Sequence, residues 1–396
     1  MPDASDILDP VSIQELERRW AATRRAMEQQ DIDVLLVQSN NSCYGGYIKW
    51  LTDVASQSGL YLSVLFPAKE QMTVFRHGPN NDANLAGSDP LYRGAGKLVT
   101  RATFPAASYT QDYHADATIE ELRRLGPRKI GIVNSQTMAH PYLHRVMNAG
   151  LLNAKFVDAT DLIDEIKAIK SDEEIALIKR CAAMQDAAWA AVLKEVRPGK
   201  KLTDLVAVAQ YVGVTMGSFD GLFMAGSGPL GKPAPKAPRP FWNRTLQEGD
   251  QFTMLIENNG PNGLYCELGR TCVMGKVPQY MHDELAFVLE AQRFTLNLVK
   301  PGAKPAEILA RYNDFMRRNG RPEEKRLYAH GQGYDLVERP LFLAEETMAI
   351  AAGMNLAVHP TYLTDKEYAW ICDNYLVTEQ GAGECLHKTP QKIFEV

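Results

Sequence analysis

Apolar residues recur along this chain in two periods, and the changes between them mark out helices and strands. Ile13, Leu16, Trp20 and Met27 keep helical spacing after Ser12-Ile-Gln-Glu15, which has the spacing of a capping box. Asp33 to Val37 reads as a short apolar strand, and Leu60 to Phe66 with Gln71 to Phe75 as a strand pair across Pro67-Ala-Lys. Thr118-Ile-Glu-Glu121 predicts the start of another helix, Lys129 to Val133 a strand, and Phe156-Val-Asp the next. Helices alternating with short apolar strands predict an α/β layer, so residues 1–160 form one domain.

The second domain, 161–396, opens differently. Ser171-Asp-Glu-Glu174 is a capping box ahead of a long amphipathic helix with Ile175, Ile178, Cys181 and Ala182 on its inner stripe, ended by Arg197-Pro-Gly199. Helices from about Gln279 to Leu298 and from Pro305 to Asn319 come later, then strand-like segments to the C-terminus. Gly226 to Pro240 is rich in Gly and Pro and reads as irregular, at a surface or pocket rim. Two similar helix exits, Val196-Arg-Pro-Gly-Lys-Lys and Val299-Lys-Pro-Gly-Ala-Lys, suggest an internally duplicated half.

Between these helices lies the stretch that carries most chemistry. Phe252, Met254 and Ile256 alternate with Thr253, Leu255 and Glu257, a strand with one apolar face. Asn258-Asn-Gly-Pro-Asn-Gly263 is turn chemistry, and a second strand runs from about Leu264 to Met274. The resulting hairpin carries Glu257 and Glu267 near the ends of its arms. Paired carboxylates are a metal cradle, a general acid/base pair or a solvated edge, and the hairpin alone leaves all three open.

Composition narrows the class of partner. With 396 residues, 45% of them hydrophobic and 23% charged, the chain has ordinary globular values. A net charge of -5 and no Lys/Arg-rich run give no reason to expect nucleic acid. The polar, acidic N-terminus and the lack of any long apolar run predict a cytoplasmic protein with no membrane contact. The six cysteines are scattered without a Cys-x-x-Cys pair, against both a zinc ribbon and a disulfide framework.

Several landmarks occur in order: Ile169-Lys-Ser-Asp-Glu-Glu-Ile175, Gly249-Asp250, Gly263-x-Tyr265-x-Glu267-x-x-Arg270-Thr271, His330-Gly-Gln-Gly333 with Glu338-Arg-Pro340, Gly353-Met354 and Leu376-Val-Thr-Glu-x-Gly381. Together they resemble the creatinase, prolidase and methionine aminopeptidase superfamily. The resemblance implies an α/β plus α+β protein, a creatinase-type N-terminal domain followed by a pita-bread catalytic domain, and a homodimer. Metallopeptidase members hold two metal ions with two Asp, one His and two Glu. Those positions fall here at Glu257 (or Leu255 or Ile256), Glu267, His330, His359 and Cys372, so only the histidine is retained. The creatinase-type catalytic histidine has no counterpart in Pro233 to Arg239, and the histidine of the His-Glu-x-Pro motif is Val337.

A dinuclear site needs several carboxylates to offset two dications. The altered set therefore predicts no metal and no other cofactor, although Glu257, Glu267, His330, His359 and Asp373 remain a donor set for a single Zn or Fe. The expected activity is metal-independent, creatinase-like hydrolysis of a non-peptide C–N bond in a small metabolite. His330, His359 and Glu267 would carry the chemistry, with Glu257 orienting the substrate. Alternatives are a lyase, a metal-dependent Xaa-Pro-type peptidase and a non-catalytic binding domain. Substrate contacts are expected from Arg270, Tyr334, Cys372, Asp373 and Lys232, and from Tyr47 and Trp50 of the first domain. Lys232, Lys236 and Arg239 together line the Pro-rich loop, where they could grip an anionic group.

Overall fold

The computed structural model describes residues 9–56, 59–85, 89–151 and 154–396. The chain divides into two compact units between Lys167 and Ala168.

In the first unit, helix α1 (Ile13–Gln29) starts at Ser12, whose hydroxyl accepts from the Glu15 amide. The Glu15 carboxylate does not complete the capping box, because Arg18 and Arg19 take it. Strand β1 (Val34–Ser39) and helix α2 (Gly46–Thr52) follow, then β2 (Leu62–Pro67), β3 (Met72–His77), β4 (Asn81–Asn84) and β5 (Ala95–Arg101). Next come α3 (Gln111–Leu125), β6 (Lys129–Val133), α4 (His140–Met147), β7 (Lys155–Asp158) and α5 (Thr160–Lys167). The strands form one mixed sheet in the order β4-β5-β3-β2-β1-β6-β7. Helix α3 begins seven residues before Thr118, which is a mid-helix residue and not a cap. Its hydroxyl instead bonds back to the His114 carbonyl and to the Tyr142 hydroxyl. Contacts between α5 and α1 place residues 161–167 with this unit.

The second unit opens with α6 (Asp172–Leu193), whose capping box from Ser171 and Glu174 is complete, and α7 (Leu202–Thr215). Strands β8 (Gly221–Pro229), β9 (Asp250–Asn258) and β10 (Leu268–Val273) precede helices α8 (Gln279–Leu298) and α9 (Pro305–Arg318). The chain then forms β11 (Ala329–Gly331), β12 (Glu338–Leu341), β13 (Asn355–Val358), β14 (Thr361–Leu363) and β15 (Tyr368–Trp370). It ends with β16 (Asp373–Thr378), β17 (Gly381–Cys385) and β18 (Phe394–Glu395). Two larger sheets result, β18-β10-β9-β8 and β12-β11-β13-β16-β17, and β14 pairs with β15 as a separate two-stranded sheet.

Each sheet is covered by its own helices. Trp189, Leu202 and Leu205 pack on Phe252, Met254 and Ile256 of the first sheet, and Val288, Ile308 and Tyr312 on Leu356 and Val358 of the second. The sheets meet where Gly269 and Cys372 exchange backbone hydrogen bonds. This is the two-layered pita-bread arrangement, with both layers contributing to one central seam.

Two sequence expectations change in this unit. All nine residues of β9 are buried, and on the face that carries Thr253, Leu255 and Glu257 the Leu255 side chain packs against Tyr368 and Trp370 of β15 and against Cys372. Gly226 to Pro229 is regular strand paired with β9. A side chain at Gly226 would run into the Pro235 carbonyl, so its glycine permits the following loop to fold back tightly over the strand.

Candidate active site

The register of the β9–β10 hairpin sets Leu268 opposite Ile256, so Glu267 and Glu257 lie across from one another. The connection between them turns through Asn262 and Gly263, both at positive φ, as the Asn/Gly run predicts. Glu267 is then fixed from the second sheet: its amide donates to Asn374 Oδ1 at 2.7 Å, and its carbonyl accepts from the Cys372 thiol.

That second sheet delivers the histidines. His330 lies on β11, paired with Ala357 of β13, and His359 directly follows β13 with its amide on the Tyr328 carbonyl at 2.7 Å. Both Nε2 atoms lie 3.5 Å from the same oxygen, Glu267 Oε1. The rings are 5.3 Å apart and inclined at 61°. His330 Nδ1 lies 2.8 Å from the Gly331 carbonyl oxygen, so Nδ1 carries a proton and donates it there, with Nε2 facing Glu267.

Burial shapes the electrostatics here. It pushes the Glu257 carboxyl well above the ordinary carboxylate range, and the charge of Glu267 pushes the same way. Burial also acts to raise Glu267, but His359 and His330 overcome it and hold that group at about 2. His359 is lowered to about 4, burial outweighing the attraction of Glu267, so it is a neutral imidazole at neutral pH.

Of the residues expected to act, Glu257, Glu267, His330 and His359 come together. The expected substrate contacts fare differently. Arg270 is buried and spends its guanidinium on Asp373 Oδ1 at 2.7 Å and on the carbonyls of Gly269, Cys372, Thr389 and Pro390. Asp373 is completed by His387 and Gln391, so this pair braces the seam and leaves no donor for a substrate. The Cys372 thiol is pushed up by burial and points at a carbonyl, which is not the environment of a nucleophile.

Tyr334 donates to Asn262 Oδ1 at 2.7 Å and so ties the hairpin turn to the loop after His330. Lys232 is exposed, and its carbonyl accepts from Gln251. In the first unit Trp50 has no exposed surface and stacks with Arg19, while Tyr47 donates to Asp164 at 2.7 Å. Both are held as core of that unit by α1 and α5.

Other residues of the site went unremarked in the sequence. Gln332 donates to Glu257 Oε1 at 3.2 Å and accepts from Asn374 Nδ2 at 2.9 Å, so one amide chain joins the two sheets at the carboxylates. Its signal was its place between the glycines of His330-Gly-Gln-Gly333. Asn374 and His387 carried no such signal, because their partners are remote in sequence.

Glu267, His330 and His359 form a group whose donor atoms all lie within 4.8 Å of one another. A second group, Asp373, Cys385 and His387, meets the same spacing, but Arg270 already occupies Asp373. Two imidazoles and one carboxylate match the three-ligand sets of catalytic metal centres. Glu267 Oε1 is buried and accepts no hydrogen bond, which is how a metal-ligand oxygen looks when only protein atoms are counted. The donor set therefore fits one divalent ion.

The model of the metallopeptidase family M24 matches residues 176–379. This chain belongs to that family. It is 26% identical over 263 residues to the probable dipeptidase PepE of Mycobacterium tuberculosis (strain ATCC 25618 / H37Rv), covering 65% of this chain and 69% of that protein. It is 25% identical over 259 residues to the Xaa-Pro dipeptidase of Pyrococcus furiosus, covering 61% and 69%. Among solved structures, an Xaa-Pro dipeptidase from Bacillus anthracis superposes with a TM-score of 0.74 at 20% identity, over 96% of this chain and 100% of that one.

Membership in M24 makes the chain a hydrolase and corrects the activity expected from sequence. Metal-independent cleavage of a non-peptide C–N bond, and the lyase alternative, give way before a metallopeptidase family match and relatives named as dipeptidases. The sequence argument weighed the missing carboxylates against two dications and set aside the single-ion donor set that it had itself listed, His359 included. No helix among the described residues is long and apolar enough to cross a membrane.

Proposed function

We propose that this protein is a metal-dependent peptidase that hydrolyses short peptides at Xaa-Pro-type bonds, with one divalent ion held by Glu267, His330 and His359. The observation that carries the reading is the convergence of two Nε2 atoms on the unbonded, buried Glu267 Oε1. The single-ion form follows from what fills the other positions: Arg270 takes Asp373, and the Cys372 thiol is turned to a backbone carbonyl. When bound, the ion supplies Lewis-acid polarisation of a carbonyl and acidification of water.

The chain's own groups do the rest. Gly331 fixes the His330 tautomer, and the Asn374 side chain anchors Glu267 through its backbone. Gln332 holds Glu257 by Oε1 across the hairpin from Glu267, where its carboxyl would give a proton at the scissile bond and take one back. The same reading takes the protein to be a cytoplasmic homodimer; light scattering of purified protein checks the dimer, and cell fractionation the location.

The decisive experiment combines metal analysis with hydrolysis of Xaa-Pro dipeptides. One equivalent of metal per chain is expected, lost in His359→Ala, together with activity that a chelator abolishes and added Mn or Zn restores. Two equivalents would overturn the single-ion assignment, and chelator-insensitive hydrolysis the metal assignment. A fully loaded protein inert toward peptides would overturn the peptidase reading.

A further inference from the structure

Between Ile178 and Trp189 the buried stripe of α6 is apolar except at Gln185, which has no exposed surface. A buried amide is costly unless its polar atoms are bonded. Here they are. Nε2 donates to the Cys266 carbonyl at 2.5 Å and to Asn258 through its carbonyl at 3.3 Å and its Oδ1 at 3.1 Å, while Oε1 accepts from His387 Nε2 at 2.9 Å. With three acceptor oxygens on one side, only this orientation of the amide fits.

These bonds fall where the hairpin ladder is interrupted. Pairing of β9 with β10 runs as far as Ile256 with Leu268 and reappears as an isolated bridge of Asn259 with Tyr265. In the gap stand Glu257 opposite Glu267 and Asn258 opposite Cys266, and the Glu267 amide has turned to Asn374 Oδ1. The Gln185 amide takes the place of the missing rung, one donor group bonded to both arms. Alternation along the strand turns Asn258 toward α6 and Glu257 to the opposite face, so a grip on Asn258 from the helix side fixes Glu257 on the site side. His387 anchors the grip in turn, its Nδ1 lying 3.3 Å from the Asp373 carboxylate of the seam.

We propose that Gln185 is a positioning residue for the hydrolysis: wedged between the parted arms, its amide sets the spacing of Glu257 from Glu267, and so of the acid/base carboxyl from the ion's three ligands. This rests on the peptidase reading above. Glu267 has independent supports in Asn374 and Cys372, whereas the Glu257 carboxyl is held by a 3.2 Å bond from Gln332. Loss of the clamp therefore moves Glu257 more than it moves the ligands. A displacement of about 1 Å at a reacting group lowers turnover by up to about a hundredfold.

The test compares full-length wild type with Gln185→Met, which keeps the length of the side chain without its donors. Ile308→Ala, which removes a buried side chain of α9, supplies a destabilised control. Hydrogen exchange of the segment from Leu255 to Leu268, followed by mass spectrometry, reads the hairpin directly. The chemistry is read as kcat and KM for Ala-Pro on Mn-loaded protein, well below every melting transition, with metal content measured on the same samples. In Gln185→Met the hairpin should exchange roughly tenfold faster, and kcat should fall by about tenfold to a hundredfold with little change in KM and the metal retained. Ile308→Ala should leave hairpin exchange and kcat unchanged.

An unchanged kcat or unchanged hairpin exchange in Gln185→Met, or the same changes in Ile308→Ala, would each overturn the proposal and leave Gln185 a packing residue. Loss of metal in Gln185→Met would overturn it as well, since the clamp would then serve the ligand Glu267 and not Glu257. Faster hairpin exchange confined to Gln185→Met, in a protein whose wild type cleaves no Xaa-Pro peptide, would sustain the clamp and count against the peptidase reading instead.

Discussion

Replacing Arg270 by alanine separates a structural role from a substrate contact, and the structure gives the size of the effect. Arg270 and Asp373 are both buried, and the arginine makes five hydrogen bonds within the seam between the two sheets. Truncating it leaves the Asp373 carboxylate with His387 and Gln391 only, and strips a donor from four backbone carbonyls. Breaking a buried pair by removing one partner costs about 3–5 kcal/mol. For a unit the size of Ala168–Val396, each kcal/mol moves the melting temperature by about 2–4 °C, so a fall of roughly 6–20 °C is expected.

Differential scanning fluorimetry of Arg270→Ala, Asp373→Asn and the double variant Arg270→Met/Asp373→Asn measures this. The double variant should lose less than Arg270→Ala, since it leaves no unpaired buried charge. The pH dependence supplies an independent check. Burial acts to raise Asp373, but Arg270 and His387 more than offset it and hold the folded-state pKa below its usual value. Its stabilisation is therefore present above the unfolded pKa of about 3.9 and is lost as pH falls through the depressed folded value. The deficit of Arg270→Ala should narrow in acid accordingly. An Arg270→Ala protein with unaltered melting temperature but raised KM would refute the reasoning and return Arg270 to the substrate.

Two further outcomes follow from the same unit. Glu367 is raised to about 8 by burial and by the neighbouring charge of Glu284, so its folded state keeps a proton that the unfolded chain has released. Wild-type stability should fall between about pH 4.3 and pH 8, by on the order of 2 kcal/mol after allowing for partial solvent access. Melting curves of Glu367→Gln across that range should lack this fall, and parallel curves for the two proteins would refute it. A side chain at Gly269 would run into the Trp370 ring and Cys372, so Gly269→Ala should cost about 1–3 kcal/mol. Its melting temperature should fall accordingly, and an unaltered melting temperature would count against the packing described.

What the sequence disclosed was largely local. The Ser171 capping box, the long helices and the Asn/Gly turn of the hairpin depend on neighbours within a few residues, and all are where their patterns predict. Thr118 misled because a cap spacing within a helix looks the same as one at its start until tertiary packing chooses. The four residues Glu257, Glu267, His330 and His359 were legible as a set through ordered motifs. Arg270 and Asp373 were legible as individuals but not as each other's partner, since 103 positions separate them. Among the loop cations, composition could not tell exposed Lys232 from Lys236; only the fold-back over Gly226 makes that distinction.

The decisive misreading concerned charge, and its correction bears on how the site works. Counting carboxylates against two dications leads from the histidine at position 359 and the cysteine at 372 to a site without metal. Counting donors around one point leads elsewhere, because His359 Nε2 and His330 Nε2 are equidistant from Glu267 Oε1. On the proposed single-ion reading, a dication on one carboxylate and two imidazoles would retain a net positive charge. Such a centre would favour a substrate that brings its own negative group, whereas a carboxylate-rich centre would repel one. Removing the ion with a chelator should then weaken binding of an acidic dipeptide more than of its amide, and calorimetry showing an equal loss for both would refute that account of the charge.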